Sequence, residues 1–390
     1  MNDYLPLTLE LLSKLVSFDT TSRESNLALI DYVQHYLAEQ GFQAEILYNP
    51  ERTKANLVVC IGPRVTGGIL LSGHTDVVPV DGQQWHYPPF SLILDNERCY
   101  GRGTTDMKGF IACSLAMITV LDADQLKKPV WLGLSYDEEV GCLGVHDLVA
   151  YLDSQPIKPE LCVVGEPTSM QPVNGHKGKI ALRCQVKGKA CHSAYTPQGV
   201  NAIHYASRLI HFILDQENIL TTERNPRFDP PFSTLHVGTI SGGEALNIVP
   251  DNCKFDMELR YLPGYSASFL IEGIKAYAQQ QLLPNMRERS RDSNITFETL
   301  AAYPGLHLDE TTPWLQRLLK WTDCSSPQTV SFGTEGGLYQ ASGITSVVCG
   351  PGSMEQGHKA DEYIEKGQLV QCLALLEKII QHLCEKSSLR

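Results

Sequence analysis

Apolar residues recur along this chain at two distinct periods, and the alternation between them outlines the fold. Leu5, Leu9, Leu12 and Val16 stand three or four residues apart and predict an amphipathic helix over 5–16. The segment 25–40 repeats that spacing with Leu29, Ile30, Val33 and Leu37, and it stops at Gly41, a residue suited to ending a helix. Strand-like runs follow at 42–48, 56–61 and 68–72. A helix is expected over 108–121, a buried strand over 129–136, a helix over 144–152 and a short strand over 161–165. Strands alternating with helices predict an α/β layer with a largely parallel sheet.

Near Gly178 the texture changes. Segments 179–187, 233–240, 254–262 and 295–301 alternate polar and apolar residues, while 201–214 and 269–282 carry helical spacing. The resulting order, β-α-β-β-α-β, is that of the ferredoxin-like split unit and predicts an inserted small α+β domain. We place it at 178–301, with the first layer formed by 1–177 and 302–390. In that second part a helix is expected from Thr312 (N-cap) and Pro313, strands at 329–332 and 345–349, and a terminal helix over 364–384. No repeat or low-complexity tract interrupts this plan.

Composition narrows the function. The 390 residues include 32 Lys and Arg against 44 Asp and Glu, a formal net charge of −12, and no Lys/Arg run. Neither nucleic acid nor a membrane is therefore expected as a partner. Residues 1–26 lack a basic stretch followed by an apolar one, so no signal peptide is expected. The 12 cysteines form no C-x-x-C pair, and Cys60, Cys162 and Cys349 lie inside apolar runs. Buried free thiols in a reducing cytoplasm are the expectation.

The chemistry gathers around 68–109, which reads GGILLSGHTDVVPV, then WHYPPF, then CYGRGTTDMKGF. An imidazole (His74) and a carboxylate (Asp106) stand at strand ends flanked by glycines, and Asp76 is placed to receive the second ring N–H of His74. Glu139, Glu166 and His358 share that structural address, the edge of an α/β sheet where sites form. Each has an ordinary explanation taken alone: a helix cap for Asp106, a solvated acidic turn for 137–139, a loop residue for His358. Their joint placement carries the case. Two imidazoles and three carboxylates with no thiolate suit two ions such as Zn²⁺, one carboxylate bridging them in an open, hydrolytic arrangement.

The segments SGHTDVVP, YGRGTTDMKG, SYDEE, VVGEPTS and GHKADEY, in this order around an inserted domain, resemble the dizinc co-catalytic amidohydrolase and metallopeptidase family of acetylornithine deacetylase and succinyl-diaminopimelate desuccinylase. The likeness runs over nearly the whole chain. It implies a zinc-peptidase-like three-layer catalytic domain and an inserted lid/dimerisation domain. It further implies that His74 and Glu166 hold one zinc, that Glu139 and His358 hold the other, and that Asp106 bridges them. Co²⁺ is expected to substitute. Asp76 would orient His74, and Glu138 would be the general base. His192, in KACHSAY, would stabilise the oxyanion in a partner's site, which implies a homodimer. Arg260 would clamp the substrate α-carboxylate, with Asn247 near the scissile amide and Lys177 lining the cleft. Glu335 is a candidate to meet a substrate ammonium. The segments LKKP, GEPTSMQPVNGHKG, GVNAI and RYLPG resemble the bacterial deacetylase branch, so hydrolysis of N²-acetyl-L-ornithine in arginine biosynthesis is the expected activity. The stretch FGTEGG departs from that branch and bears on side-chain specificity. The alternatives are a desuccinylase, a broader N-acyl-amino-acid deacylase, a dipeptidase, or a non-catalytic metal- or peptide-binding module. Glu138, for which a binding module has no use, disfavours the last.

Overall fold

The computed structural model describes residues 4–384, and the outermost parts of the expected first domain, 1–3 and 385–390, lie outside the described residues. Contacts divide the chain into two units. One comprises the chain up to Gly175, Leu306–Thr329 and the part from Thr334 onward; the other comprises His176–Gly305 and Val330–Gly333.

The first unit is built on a nine-stranded sheet. Its centre is four parallel strands, Val130–Ser135, Ile69–His74, Leu161–Pro167 and Thr345–Gly350, in that spatial order. Nearly every residue of these strands is buried on both faces. That is why the sequence shows them as continuous apolar runs rather than alternating ones. Antiparallel strands flank them, among them Ala55–Ile61 on one side and Val173–His176 on the other. The helix Gly109–Thr119 is buried over almost its whole circumference, in keeping with its uniformly apolar GFIACSLAMIT. The amphipathic helices Leu5–Val16 and Leu27–Glu39 turn Leu11, Leu12, Leu15, Leu29, Val33 and Leu37 into the same core. The second helix ends at Gly41, whose φ of 84° lets its N–H reach Ala38 O and that of Phe42 reach Leu37 O.

The second unit carries a four-stranded antiparallel sheet in the order Thr234–Gly242, Asn252–Tyr261, Gly178–Lys187, Asn294–Tyr303. With the helices Ala202–Leu220 and Ala267–Tyr277 this is the ferredoxin-like connection order. Against the expected 178–301, the unit extends to His176 and Gly305 and takes in Val330–Gly333. Gly333 shows why the distant piece belongs. A Cβ there would lie 2.1 Å from the Tyr303 ring, so only a bare backbone packs against it.

Several short elements leave no period in the sequence: Ile93–Asp95, Arg98–Tyr100 and Tyr363–Glu365, which form a small sheet, and the helix Gly336–Ala341. The strand expected at 329–332 is Gln328–Val330. Pro313 opens its helix as expected, but the Thr312 side chain makes no capping bond.

Candidate metal centre

Register brings the site together. In the parallel pairing Ser72 is level with Val164, and His74 with Ser135. Two residues further along, His74 and Glu166 stand side by side, while the chain leaving Ser135 delivers Glu138 and Glu139 to the same edge. Asp106 arrives from the turn before the buried helix, and His358 from the loop after the strand Thr345–Gly350.

The distances join these residues into one cluster. His74 Nε2 is 3.0 Å from Asp106 Oδ1 and 3.7 Å from Glu166 Oε1. His358 Nε2 is 3.1 Å from Asp106 Oδ2 and 3.1 Å from both oxygens of Glu139. Asp106 thus offers one oxygen to each imidazole. Single ligand atoms of His74, Asp106 and Glu139, and likewise of His74, Glu138 and Glu166, lie within 4.8 Å of one another.

Electrostatics support the donor set. Burial pushes the Glu139 carboxyl up to about 7, with the Asp106 charge adding to the shift. Glu138 is raised well above the carboxylate range by burial and by the charges of Glu139 and Glu335; Glu166 is raised by burial and by Asp106. Burial opposes charge on Asp106 too, but His358 and His74 hold it below its ordinary range. Hydrogen bonds to Asp106 and Glu139 raise His358 to about 10. Carboxylates so crowded against two imidazoles fit divalent cations, which would relieve the repulsion and compete with the protons.

Asp76 differs in detail from expectation. His74 Nδ1 is 2.9 Å from the backbone carbonyl of Asp76 and 3.5 Å from its carboxylate. The carboxylate accepts the Glu138 N–H at 3.1 Å, the Glu139 N–H at 3.2 Å and the Ser22 hydroxyl at 2.7 Å. It organises the acidic turn as well as the imidazole.

Two further candidates are enclosed by the chain. Glu335 does not face solvent to meet an ammonium: it is 1% exposed and accepts hydrogen bonds from Ser135 and from Ser72, the latter at 3.3 Å, with Ser72 also donating to Tyr339 Oη at 3.0 Å. Burial holds Glu335 at about 7. Lys177, expected to line the cleft, is 2% exposed and donates to the carbonyls of Pro230 (2.8 Å) and Phe232 (2.7 Å). His192, Asn247 and Arg260 belong to the second unit. His192 and Asn247 are exposed neighbours, joined by the Ser193 N–H to Asn247 O bond of 3.0 Å. Arg260 is the penultimate residue of the strand Asn252–Tyr261, its Nε 2.6 Å from Glu258.

Sequence reasoning missed Arg102 and Glu362. They form a buried pair at 2.7 Å, and Glu362 Oε1 accepts the N–H groups of Thr105 (3.0 Å) and Asp106 (3.1 Å). Arg102 lies within the motif YGRGTTDMKG and Glu362 within GHKADEY, but nothing local in either marks the other as its partner.

The model of Peptidase family M20/M25/M40 matches residues 70–382. An acetylornithine deacetylase of Myxococcus xanthus is 36% identical, covering 98% of this chain and 99% of the relative. Among solved structures, the M20 family metallo-carboxypeptidase Sso-CP2 of Sulfolobus solfataricus superposes with a TM-score of 0.76 at 18% identity, covering 97% of this chain and 99% of that one. The Bacillus subtilis YXEP protein, described as a dinuclear metal binding peptidase from the M20 family, gives a TM-score of 0.67 at 14% identity, covering 97% and 98%. At such identities the two structures bear on the fold alone.

Proposed function

The chain belongs to peptidase family M20/M25/M40, and from that premise we propose that this hydrolase is a dizinc deacetylase cleaving N²-acetyl-L-ornithine to acetate and L-ornithine, a step of arginine biosynthesis. The observation that carries the reading is the placement of Glu138 beside the His74–Asp106–His358 cluster, next to Glu139 in the chain. His74 and Glu166 would hold one ion and Glu139 and His358 the other, with Asp106 shared between them. Two zinc ions bound there would supply Lewis acidity and ease deprotonation of the attacking water, and Co²⁺ would replace them.

This chain's residues do the rest. The Glu138 carboxylate accepts the proton of the attacking water and returns it to the departing amine nitrogen. Asp76 fixes the turn that carries it. His192 donates to the developing oxyanion, Arg260 holds the substrate carboxylate in bidentate fashion, and Asn247 meets the amide. His192 serves the site of a second copy. The homodimer draws support from the edge strand Thr234–Gly242, mostly exposed, and from exposed Ile240, Leu246 and Ile248. We place the working compartment in the cytoplasm. A succinyl carboxylate would need a cationic contact, and Lys177, one candidate for it, is engaged by two backbone carbonyls, which favours the acetyl substrate.

Glu138→Gln tests the base. We expect kcat to fall by roughly 10²–10⁴ with two ions still bound; an unchanged rate overturns the mechanism. For the substrate, kcat/KM is compared on N²-acetylornithine, N-succinyl-diaminopimelate and acetylated neutral amino acids. A preference for the succinyl compound overturns the assignment.

A further inference from the structure

Four of the five candidate ligands stand at strand ends, in an acidic turn or just ahead of a helix. His358 does not. It sits in a loop of turns at residues 351–361, its side chain 42% exposed and its backbone at φ 62°, a region a non-glycine residue adopts only when its surroundings hold it there. Yet its Nε2 must stay on Asp106 and Glu139.

The holding contacts form a continuous chain. The Asp106 N–H donates to Glu362 Oε1 at 3.1 Å, and Arg102 Nη1 donates to Glu362 Oε2 at 2.7 Å. Arg102 Nη2 donates to Gln83 Oε1 at 2.6 Å, and Gln83 Nε2 donates to the carbonyl of His358 at 2.9 Å. Arg102 Nη1 also reaches Lys359 O at 3.3 Å, next to His358. The guanidinium lies 5.0 Å from the Trp85 ring centre, and Trp85 Nε1 donates to Gln83 Oε1 at 3.1 Å. Arg102 and Glu362 are each 1% exposed, so the bond between them is made where water does not compete, while the Gln83 links lie nearer the surface.

We propose that Gln83, Arg102 and Glu362 are positioning residues for one metal position, a clasp that ties the backbone of the bridging Asp106 to that of His358. The proposal rests on the two-ion reading of the site. The clasp acts on the position shared by Asp106, Glu139 and His358; none of its bonds reaches Glu166, and it touches the other position only through Asp106. Removing it frees the His358 loop and leaves the His74–Glu166 side in place.

The test is equilibrium dialysis of the chelator-stripped full chain against buffered free Zn²⁺, read by elemental analysis. The natural chain is expected to take up two ions. Gln83→Ala and Glu362→Gln should keep the first ion at natural affinity and bind the second roughly 10–100-fold more weakly, the same ion that His358→Ala loses. Gln83 is only partly buried, so the stripped Gln83→Ala chain should melt within about 2 °C of the natural one. That separates positioning from a general structural role and decides the matter if Glu362→Gln does not fold. Variants that keep both ions at natural affinity, or lose both equally, overturn the clasp. The readout is independent of substrate: a two-ion chain that turns over no N-acyl amino acid would overturn the proposed activity instead.

Discussion

Replacing Asp76 by asparagine removes one charge and one acceptor oxygen from a side chain only 2% exposed. Its Oδ2 accepts the Ser22 hydroxyl and the Glu139 N–H, and its Oδ1 accepts the Glu138 N–H. Whichever way the amide is turned, its NH₂ faces one backbone N–H that cannot reverse, whereas the Ser22 hydroxyl can rotate to accept. One orphaned buried donor costs about 1–3 kcal/mol, and the surviving bonds lose their charge assistance, so about 2–4 kcal/mol is expected in all. At roughly 2–4 °C per kcal/mol for a unit of this size, the Tm of the chelated protein should fall by roughly 5–10 °C. Ser22→Ala, which deletes one donor without orphaning an N–H, should cost less than about 1.5 kcal/mol. The sign with pH is fixed. His74, Ser22 and the Glu138 amide outweigh burial and hold Asp76 below 3.8, so its stabilisation is present above that value and is lost as pH falls through the lowered folded pKa. The natural chain and Asp76→Asn should therefore converge in strong acid. Calorimetry of both chains at pH 7 and at low pH measures this, with Zn²⁺ titration beside it. A variant that melts within about 1 °C of the natural chain at pH 7 and binds metal unchanged would refute the role given to Asp76.

Chelation should invert the usual response to pH between 5 and 7.5. Glu139 and Glu335, each raised to about 7 chiefly by burial, bind protons in the folded chain that the unfolded chain releases, so stability is present at pH 5 and is lost as pH rises through 7. His176, pulled down to about 4 by burial, works in the opposite direction but is one group. Thermal melts in chelator should show Tm falling over that window, and added Zn²⁺ should reverse the trend; a chelated Tm that climbs steadily to pH 7.5 contradicts it. Gly165→Ala tests the packing under Glu166. Its Cβ would lie 2.0 Å from Phe110 Cγ inside a buried ring contact, so a loss of about 1–3 kcal/mol or more is expected in denaturant melts, with Phe110→Leu relieving part of it.

The strand-end residues were legible because their neighbours are buried on both faces. Runs such as ILLSGH and LCVVGEP can be read as central strands, and a polar residue that closes such a run has nowhere to go but the sheet edge. The residues that hold them in place were not legible, for a different reason. Arg102, Glu335 and Glu362 are polar side chains in buried positions, and their partners are chosen by topology. Arg102 and Glu362 are 260 residues apart, and Glu335 meets Ser135 across 200. GTEGGLY is too rich in glycine to show a period, so from sequence Glu335 reads as a loop residue facing a ligand. A usable signal did exist. Ser72 and Ser135 interrupt otherwise apolar buried strands, and a buried hydroxyl requires a partner. Two such serines on strands that pair in parallel find it in a third element, the helix Gly336–Ala341 with the preceding Glu335, through Glu335 and Tyr339. Hydrophobic patterning thus tells which side chains are buried but not which of them face each other. For a centre made of opposed charges, the second question decides where each ligand atom stands.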